Sequence, residues 1–239
     1  MLINSYRFGA TDPYFANVSL LLHGNGINGS TTILDSSPSP NTITAFGDAR
    51  INTTIADPFN RTGDGIIAFD GNGDYLQMPV NAQLLLNADF TVEFFNKCNL
   101  QAANYPSAIG SMATAFASEA ASFHIDHSLY PGKLSLYANG NETPILVSAS
   151  NICDNLWHHI AIAKSGTIWR LFVDGNLEAT NTIRTDVISL QKNGTRIGWD
   201  GWNGINGFYN GYLDELRITK GIARYTVNFA PPTAAFPDS

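Results

Sequence analysis

Between Trp199 and Tyr212 the chain reads Trp-Asp-Gly-Trp-Asn-Gly-Ile-Asn-Gly-Phe-Tyr-Asn-Gly-Tyr. Aromatic rings offer flat apolar faces that stack on sugar rings, and neighbouring Asp and Asn side chains can satisfy hydroxyls. Trp202, Tyr209, Asp200 and Asn203 are therefore expected to form the edge of a ligand site for a saccharide. The same residues also allow another arrangement, in which Trp199 and Tyr212 belong to flanking strands while Phe208 and Tyr209 pin the loop to the core. A second loop of this kind runs from Asp126 to Lys133, with His127 and Tyr130.

Metal chemistry centres on Asp70, Asn72 and Asp74, three oxygen side chains at alternate positions of a Gly-rich turn. That spacing resembles the start of a calcium-binding EF-hand loop, but the twelfth position is Asn81 rather than Glu, which rules that loop out. Calcium held by Asp70, Asp74 and Asp214 is the metal expectation; Asx turns that cap strand ends explain the same residues without an ion. His158 and His159 are neighbours on a strand, point to opposite faces and cannot chelate one ion together. Cys98 and Cys153 lack the C-x-x-C company of a zinc site.

Glycoside hydrolysis needs two carboxylates about 5–9 Å apart across a scissile bond. The five glutamates, Glu93, Glu119, Glu142, Glu178 and Glu215, form no E-x-D-x-x-E strand, and Asp214 and Glu215 are adjacent and face opposite sides. No G-x-S-x-G stands in the chain, so a nucleophile elbow is missing as well. The expectation is no catalytic residue and no enzyme.

The elements that must position these groups read as strands. Of 239 residues only 14 % are charged, while 24 Asn and 21 Gly supply turn formers. Apolar residues alternate with period two over Val18–Leu22, Phe90–Phe95, Lys133–Tyr137 and Tyr212–Thr219. Ile66–Phe69 and Tyr75–Met78 read as a pair around Asp70-Gly71-Asn72-Gly73-Asp74, and Leu156–Lys164 with Ile168–Val173 as a hairpin around Ser165-Gly166-Thr167. Short strands are also expected at Phe123–Ile125, Ile145–Val147, Leu177–Thr180 and Arg196–Trp199. A turn or two of helix is expected at Ala113–Ala121. About a dozen short strands predict an all-β, two-sheet antiparallel sandwich of jelly-roll type. The organisation expected is an N-terminal arm over 1–16, a sandwich over 17–230 and a Pro-rich tail over 231–239.

A formal net charge of −7 and the absence of a Lys/Arg cluster argue against nucleic acid as a partner. No apolar run approaches the ~18 residues that span a bilayer, and the N-terminus lacks the basic and apolar regions of a signal peptide. Synthesis in a cytoplasm is expected from this, with Cys98 and Cys153 separate and reduced. Six N-x-S/T sequons, among them Asn17-Val-Ser and Asn193-Gly-Thr, are expected to stay unglycosylated.

Three pieces in order resemble a laminin-G-like jelly roll of the concanavalin A-like superfamily. They are Phe69-Asp70-Gly71 with Asp74-Tyr75-Leu76 and Phe90–Phe94; Leu156-Trp157-His158-His159-Ile160-Ala161 with Leu171–Gly175; and Gly211–Ile218. Leu20–Gly26 and Thr219–Tyr225 are similar to versions of this domain in bacteriophage structural proteins, which usually carry Asp where this chain has Asn25. The resemblance implies a concanavalin A-like fold and a non-catalytic adhesion or decoration module on a virion surface, in a tail fibre or on a capsid. Such a module would be oligomeric or present in many copies, contacting host-surface glycans and other virion proteins. The alternatives it leaves open are an assembly protein without a sugar site and a glycan-cleaving enzyme on the same scaffold.

Overall fold

The computed structural model describes residues 11–61, 63–99, 105–111, 120–125, 128–138, 143–182, 188–190, 194–201 and 207–239. The expected helix at Ala113–Ala121 lies almost wholly outside them, as do Asp126 and His127. Among the described residues no helix is long and apolar enough to cross a membrane.

In chain order the strands are β1 (Val18–Leu22), β2 (Thr44–Phe46), β3 (Arg50–Asn52), β4 (Ile66–Asp70), β5 (Tyr75–Gln77), β6 (Leu85–Leu86), β7 (Phe90–Lys97) and β8 (Ser107–Gly110). There follow β9 (Ala121–Ile125), β10 (Leu134–Ala138), β11 (Leu146–Val147), β12 (His158–Ser165) and β13 (Ile168–Val173). The set ends with β14 (Asn176–Asn181), β15 (Ile188–Ser189), β16 (Arg196–Ile197) and β17 (Asn210–Lys220). All pairings are antiparallel. An eight-stranded sheet runs β14-β13-β12-β7-β17-β4-β3 with β1 also on β17, and a seven-stranded sheet runs β11-β10-β9-β8-β16-β5-β2. The expected two-sheet sandwich of jelly-roll, concanavalin A-like type is what the chain forms.

Period two explains the core. Phe90, Val92 and Phe94 of β7, Ile160 and Ile162 of β12 and Leu213 and Ile218 of β17 point inward. They meet Leu76, Ile109, Phe123, Leu134 and Leu136 from the facing sheet. Alternation lets each strand bury one face and leave the other for function.

β17 changes its edge partner from β4 to β1 across a bulge between Asp214 and Arg217, where Glu215 sits at φ 48°. A bulge turns a side chain out of the alternation. Here it aims Glu215 at His23 Nδ1, 3.0 Å away, and at the Phe236 amide, 2.7 Å away.

Two expectations are corrected. β4 and β5 do not form a hairpin, because the turn between them carries the chain from one sheet to the other and β5 pairs with β2 and β16. Cys98 and Cys153 are not separate thiols; they form a disulfide across 55 residues of chain. Cys98 directly follows β7, and the Asn96 amide reaching the Ile152 carbonyl at 2.8 Å brings the other cysteine alongside.

The segments at either end lie over the outer face of the larger sheet. Asp12 bonds Arg217 and Arg224, which also approach Glu93. Arg217 stacks on the Phe236 ring at 3.7 Å, while Tyr225 and Phe229 stack on each other beside Phe172. The Pro-rich residues 231–237 therefore run along the sheet without entering its ladder, as a residue lacking an N–H donor must.

Candidate functional site

The outer face of the seven-stranded sheet carries a continuous band of polar and aromatic side chains. Register sets Tyr137, Ser122, Gly110, Arg196, Gln77 and Thr44 in one row across β10, β9, β8, β16, β5 and β2. Ser135, His124 and Ser107 form the next row. Their strand neighbours Leu136, Phe123, Ile109, Ile197 and Leu76 are all core. The band has a polar half and an aromatic half.

Asp200 organises the polar half. Its carboxylate accepts from Ser122 Oγ at 2.9 Å and His124 Nε2 at 3.0 Å, and Ser107 Oγ bonds Ser122 Oγ at 2.8 Å. Asp200 crosses β8 directly above Gly110, where a Cβ would fall within 2.8 Å of its Cα. His124 and Asp200 are only 3 % and 2 % exposed. The imidazole lies between the Tyr105 and Tyr137 rings, with centroids at 6.0 and 5.0 Å. Burial pushes the Tyr137 hydroxyl up to about 12, so it stays protonated at neutral pH.

Four rings make the aromatic half. Phe46 and Tyr75, opposite each other on β2 and β5, stack at 4.5 Å with planes 4° apart. Trp199 lies 5.1 Å from both Tyr75 and Phe208, and Arg196 stands 5.2 Å over the Trp199 ring. Gly198, at φ 87°, turns the chain out of β16 and places Trp199 here; a Cβ there would strike the Phe69 ring. Phe46 is 38 % exposed and the other three rings are half-buried, so the terrace faces solvent. Flat apolar rings beside fixed hydrogen-bonding groups suit the two faces of a sugar.

Of the residues expected from sequence, Asp200 takes a central place in this band. Trp202 and Asn203 lie outside the described residues. Tyr209 needs correction as a ligand residue. It is 0 % exposed, its hydroxyl donates to Asn96 Oδ1 at 2.7 Å, and its ring meets Phe69 edge-on. No face of the ring is left for a ligand, and burial holds the hydroxyl well above its ordinary pKa.

The expected metal set divides in two. Asp70 and Asp74 gather with Asp48, their oxygens all within 4.8 Å of one another, a spread that calcium can bridge with bonds of about 2.4 Å. Backbone amides already occupy this set: Asp74 accepts from Asp48 N and Asp70 N, and Asp70 from Asn72 N. Asp48 also pairs with Arg50. The turn is thus complete as an Asx-type structure.

Asp214 stands apart, because Asn210 faces Asp70 while Leu213 faces Ile67, which puts it about 13 Å along the strand. It is 1 % exposed at the bulge, accepting from the Glu215 amide. Burial first, then the Glu215 charge, push it up to about 9. A cation beside this carboxylate would offset its burial, but the described carboxylates that gather closely enough to share one ion are Asp48, Asp70 and Asp74.

The three described glutamates lie away from the band. Glu93 is buried on the opposite sheet against Arg217, Glu215 is held by His23 and Phe236, and Glu178 caps the Ala149 and Ser150 amides. Sequence reasoning missed Phe46, Tyr75, Ser122 and His124. The signal for the last two was their alternation with Phe123 and Ile125, which puts Ser and His on one face.

A family model for laminin-G-type domains, described as the concanavalin A-like lectin/glucanases superfamily, matches residues 70–222. No curated protein matches the chain. Among solved structures, the binding domain of botulinum neurotoxin serotype D is 13 % identical with a TM-score of 0.61, over 87 % of this chain and 49 % of that one. The binding domain of botulinum neurotoxin DC, solved in complex with rat synaptotagmin II, is 12 % identical with a TM-score of 0.62, over 86 % and 48 %. The same domain in complex with SialylT gives 12 % and 0.58, over 86 % and 48 %. The chain spans about half the length of these structures, and at such identity the likeness is one of fold. By the family match and the sandwich together, this chain belongs to the concanavalin A-like lectin/glucanases superfamily.

Proposed function

We propose that this domain is a non-catalytic adhesion module that binds host-surface glycans through the outer face of its seven-stranded sheet. The observation that carries the reading is the continuity of the band, from the Phe46–Tyr75–Trp199–Phe208 terrace to the Asp200–Ser122–His124 cluster. A sugar ring would lie on the terrace with its hydroxyls toward Arg196, while the buried Asp200–Ser122–His124 cluster fixes the strands beside it. The binding domain of botulinum neurotoxin DC, which shares this fold over about half its length, was solved in complex with SialylT, and that is compatible with the reading.

The setting proposed is a virion surface, in a tail fibre or capsid decoration, where many copies raise a modest affinity per site. The support is the similarity of Leu20–Gly26 and Thr219–Tyr225 to bacteriophage structural proteins. The Cys98–Cys153 disulfide fits work outside a reducing cytoplasm. Calcium at Asp214 would serve structure, away from the sugar.

A glycan array tests the reading, using the multivalent chain with calcium or with chelator, beside Trp199→Ala and Trp202→Ala. Glycan binding lost in Trp199→Ala supports it. A blank array from folded, multivalent protein overturns it and favours an assembly role, in which the band is covered by a subunit interface of at least ~1,000 Å².

A further inference from the structure

On the opposite side of the sandwich, the outer face of the larger sheet stays open at one end. There Arg50, Ala68, Tyr212 and Lys97 form a row across β3, β4, β17 and β7. Ala68 is small and Tyr212 stands above it, half-buried, with a cavity on either side of its ring. One cavity, of about 180 Å³, is lined by Arg50, Asn52 and Asp70; the other, of about 160 Å³, by Lys97, Asn99 and Asn155. Asn210 and Tyr212 line both, so the two are halves of one groove. Each half is below the ~300 Å³ of a drug-sized pocket and suits one small polar unit.

The groove floor is built rigidly. Beneath it the buried Tyr209 hydroxyl lies 3.3 Å from the Tyr212 carbonyl and 3.4 Å from the Lys97 carbonyl. The wall carrying Asn155 is clamped by the Cys98–Cys153 disulfide and by the Asn155 amide, which donates to the Cys98 carbonyl at 2.8 Å. Preorganisation of this kind lowers the entropy lost on binding.

The charges of the halves differ. Arg50 is engaged by Asp48, and Asp70 adds a negative charge to that half. In the other half Lys97 has no carboxylate paired with it among the described residues, and the groups around it are carboxamides. An anion is therefore repelled at the Asp70 end and attracted at the Lys97 end.

We infer that this groove is a second saccharide site, separate from the aromatic terrace, that takes a carboxylate-bearing sugar. The carboxylate meets Lys97, the ring lies against Tyr212, and hydroxyls reach Asn155 on one side and Asn52 on the other. Charge-assisted bonds to the ammonium supply the discrimination between acidic and neutral sugars.

Glucuronic acid and glucose differ only in a carboxylate against a hydroxymethyl, and are the probes. Each is titrated into the chain by NMR, alongside Lys97→Gln, Tyr212→Ala and Trp199→Ala, with thermal melts confirming that every variant folds. The expected result is saturable glucuronate binding with a Kd on the order of 1 mM. Lys97→Gln weakens it tenfold or more, Tyr212→Ala weakens it, Trp199→Ala leaves it unchanged, and salt reduces it. Absence of glucuronate binding, equal binding of glucose, or full binding by folded Lys97→Gln overturns the site. Since Trp199→Ala reports on the terrace and Lys97→Gln on the groove, either site can fail without the other.

Discussion

The Asp200 side chain crosses β8 directly over Gly110, with the Asp200 Cα within 2.8 Å of where a Gly110 Cβ would stand. That close approach lets one carboxylate reach Ser122 and His124 on the neighbouring strand. The polar half of the band therefore depends on a residue that makes no polar contact through a side chain.

Gly110→Ala should push Asp200 off the strand and break both hydrogen bonds while leaving the sheet in place. Overpacking of this sort costs about 1–3 kcal/mol. At this chain length that lowers Tm by about 2–4 °C per kcal/mol. The imidazole resonances of His124 should shift, and glycan binding should fall with Trp199 unaltered. A variant with unmoved His124 resonances would show that Asp200 does not need the glycine.

Reducing the Cys98–Cys153 bond should destabilise the domain substantially. The bridge closes a loop of 55 residues, which the chain-entropy account values at about 4 kcal/mol. Thermal melts with and without reductant, and of the Cys98→Ala, Cys153→Ala double variant, measure this. Equal melting temperatures would mean that the bond adds nothing beyond the Asn96–Ile152 and Asn155–Cys98 hydrogen bonds around it.

What was legible in the sequence follows from the range of the interactions involved. The β12–β13 hairpin was readable because Ser165 and Ile168 pair directly across a local turn. Asp70–Asp74 carries equally strong turn residues, yet its strands part into different sheets. The Asp74 carboxylate turns back onto Asp70 N and Asp48 N, and the partner of β5 is β2, far away in sequence. Tyr209 and Trp199 are equally aromatic. Long-range contacts of Tyr209, to Asn96 and to the Phe69 ring, decide which is core and which is surface. The terrace was hidden for the same reason, since Phe46 and Tyr75 meet through cross-strand register and not through spacing. The disulfide joins two loops that no local signal brings together.

Glu93 should govern loss of stability in acid. Burial alone would raise its pKa, but the His159 contact and the Arg217 and Arg224 charges win and hold it down at about 2. A carboxylate lowered on folding contributes stability above its unfolded value of 4.5, and loses it as pH falls through 2. The window is worth about 3 kcal/mol at 1.36 kcal/mol per unit. Glu93→Gln should therefore lack this acid-induced loss. It should also be less stable at pH 7, because Arg217 and Arg224 are left buried with one carboxylate, Asp12. Urea midpoints at pH 2, 3, 5 and 7 test both effects, and parallel curves for the two proteins would sink the assignment.

Asp214 should act in the opposite direction. Burial, followed by the Glu215 charge, raises it to about 9 from an ordinary 3.8. An acid raised on folding contributes stability that is complete below 3.8 and is lost progressively as pH climbs toward 9, because the unfolded chain ionises first. Asp214→Asn keeps the shape, can still accept from the Glu215 amide, and removes the ionisation. It should melt higher than the wild type between pH 7 and 9, and its Tm should vary less with pH. A cation bound beside Asp214 reverses the comparison, since the ionised carboxylate then gains a partner that the unfolded chain lacks. Melts with chelator should accordingly favour Asp214→Asn, while millimolar calcium should raise the wild-type Tm and leave the variant unmoved. A calcium response that survives in Asp214→Asn but disappears in Asp70→Asn would move the ion to the Asp48–Asp70–Asp74 turn. If Asp214→Asn melts lower than the wild type in chelator at pH 8, the buried carboxylate is stabilised by its surroundings, and the sign argued here is wrong.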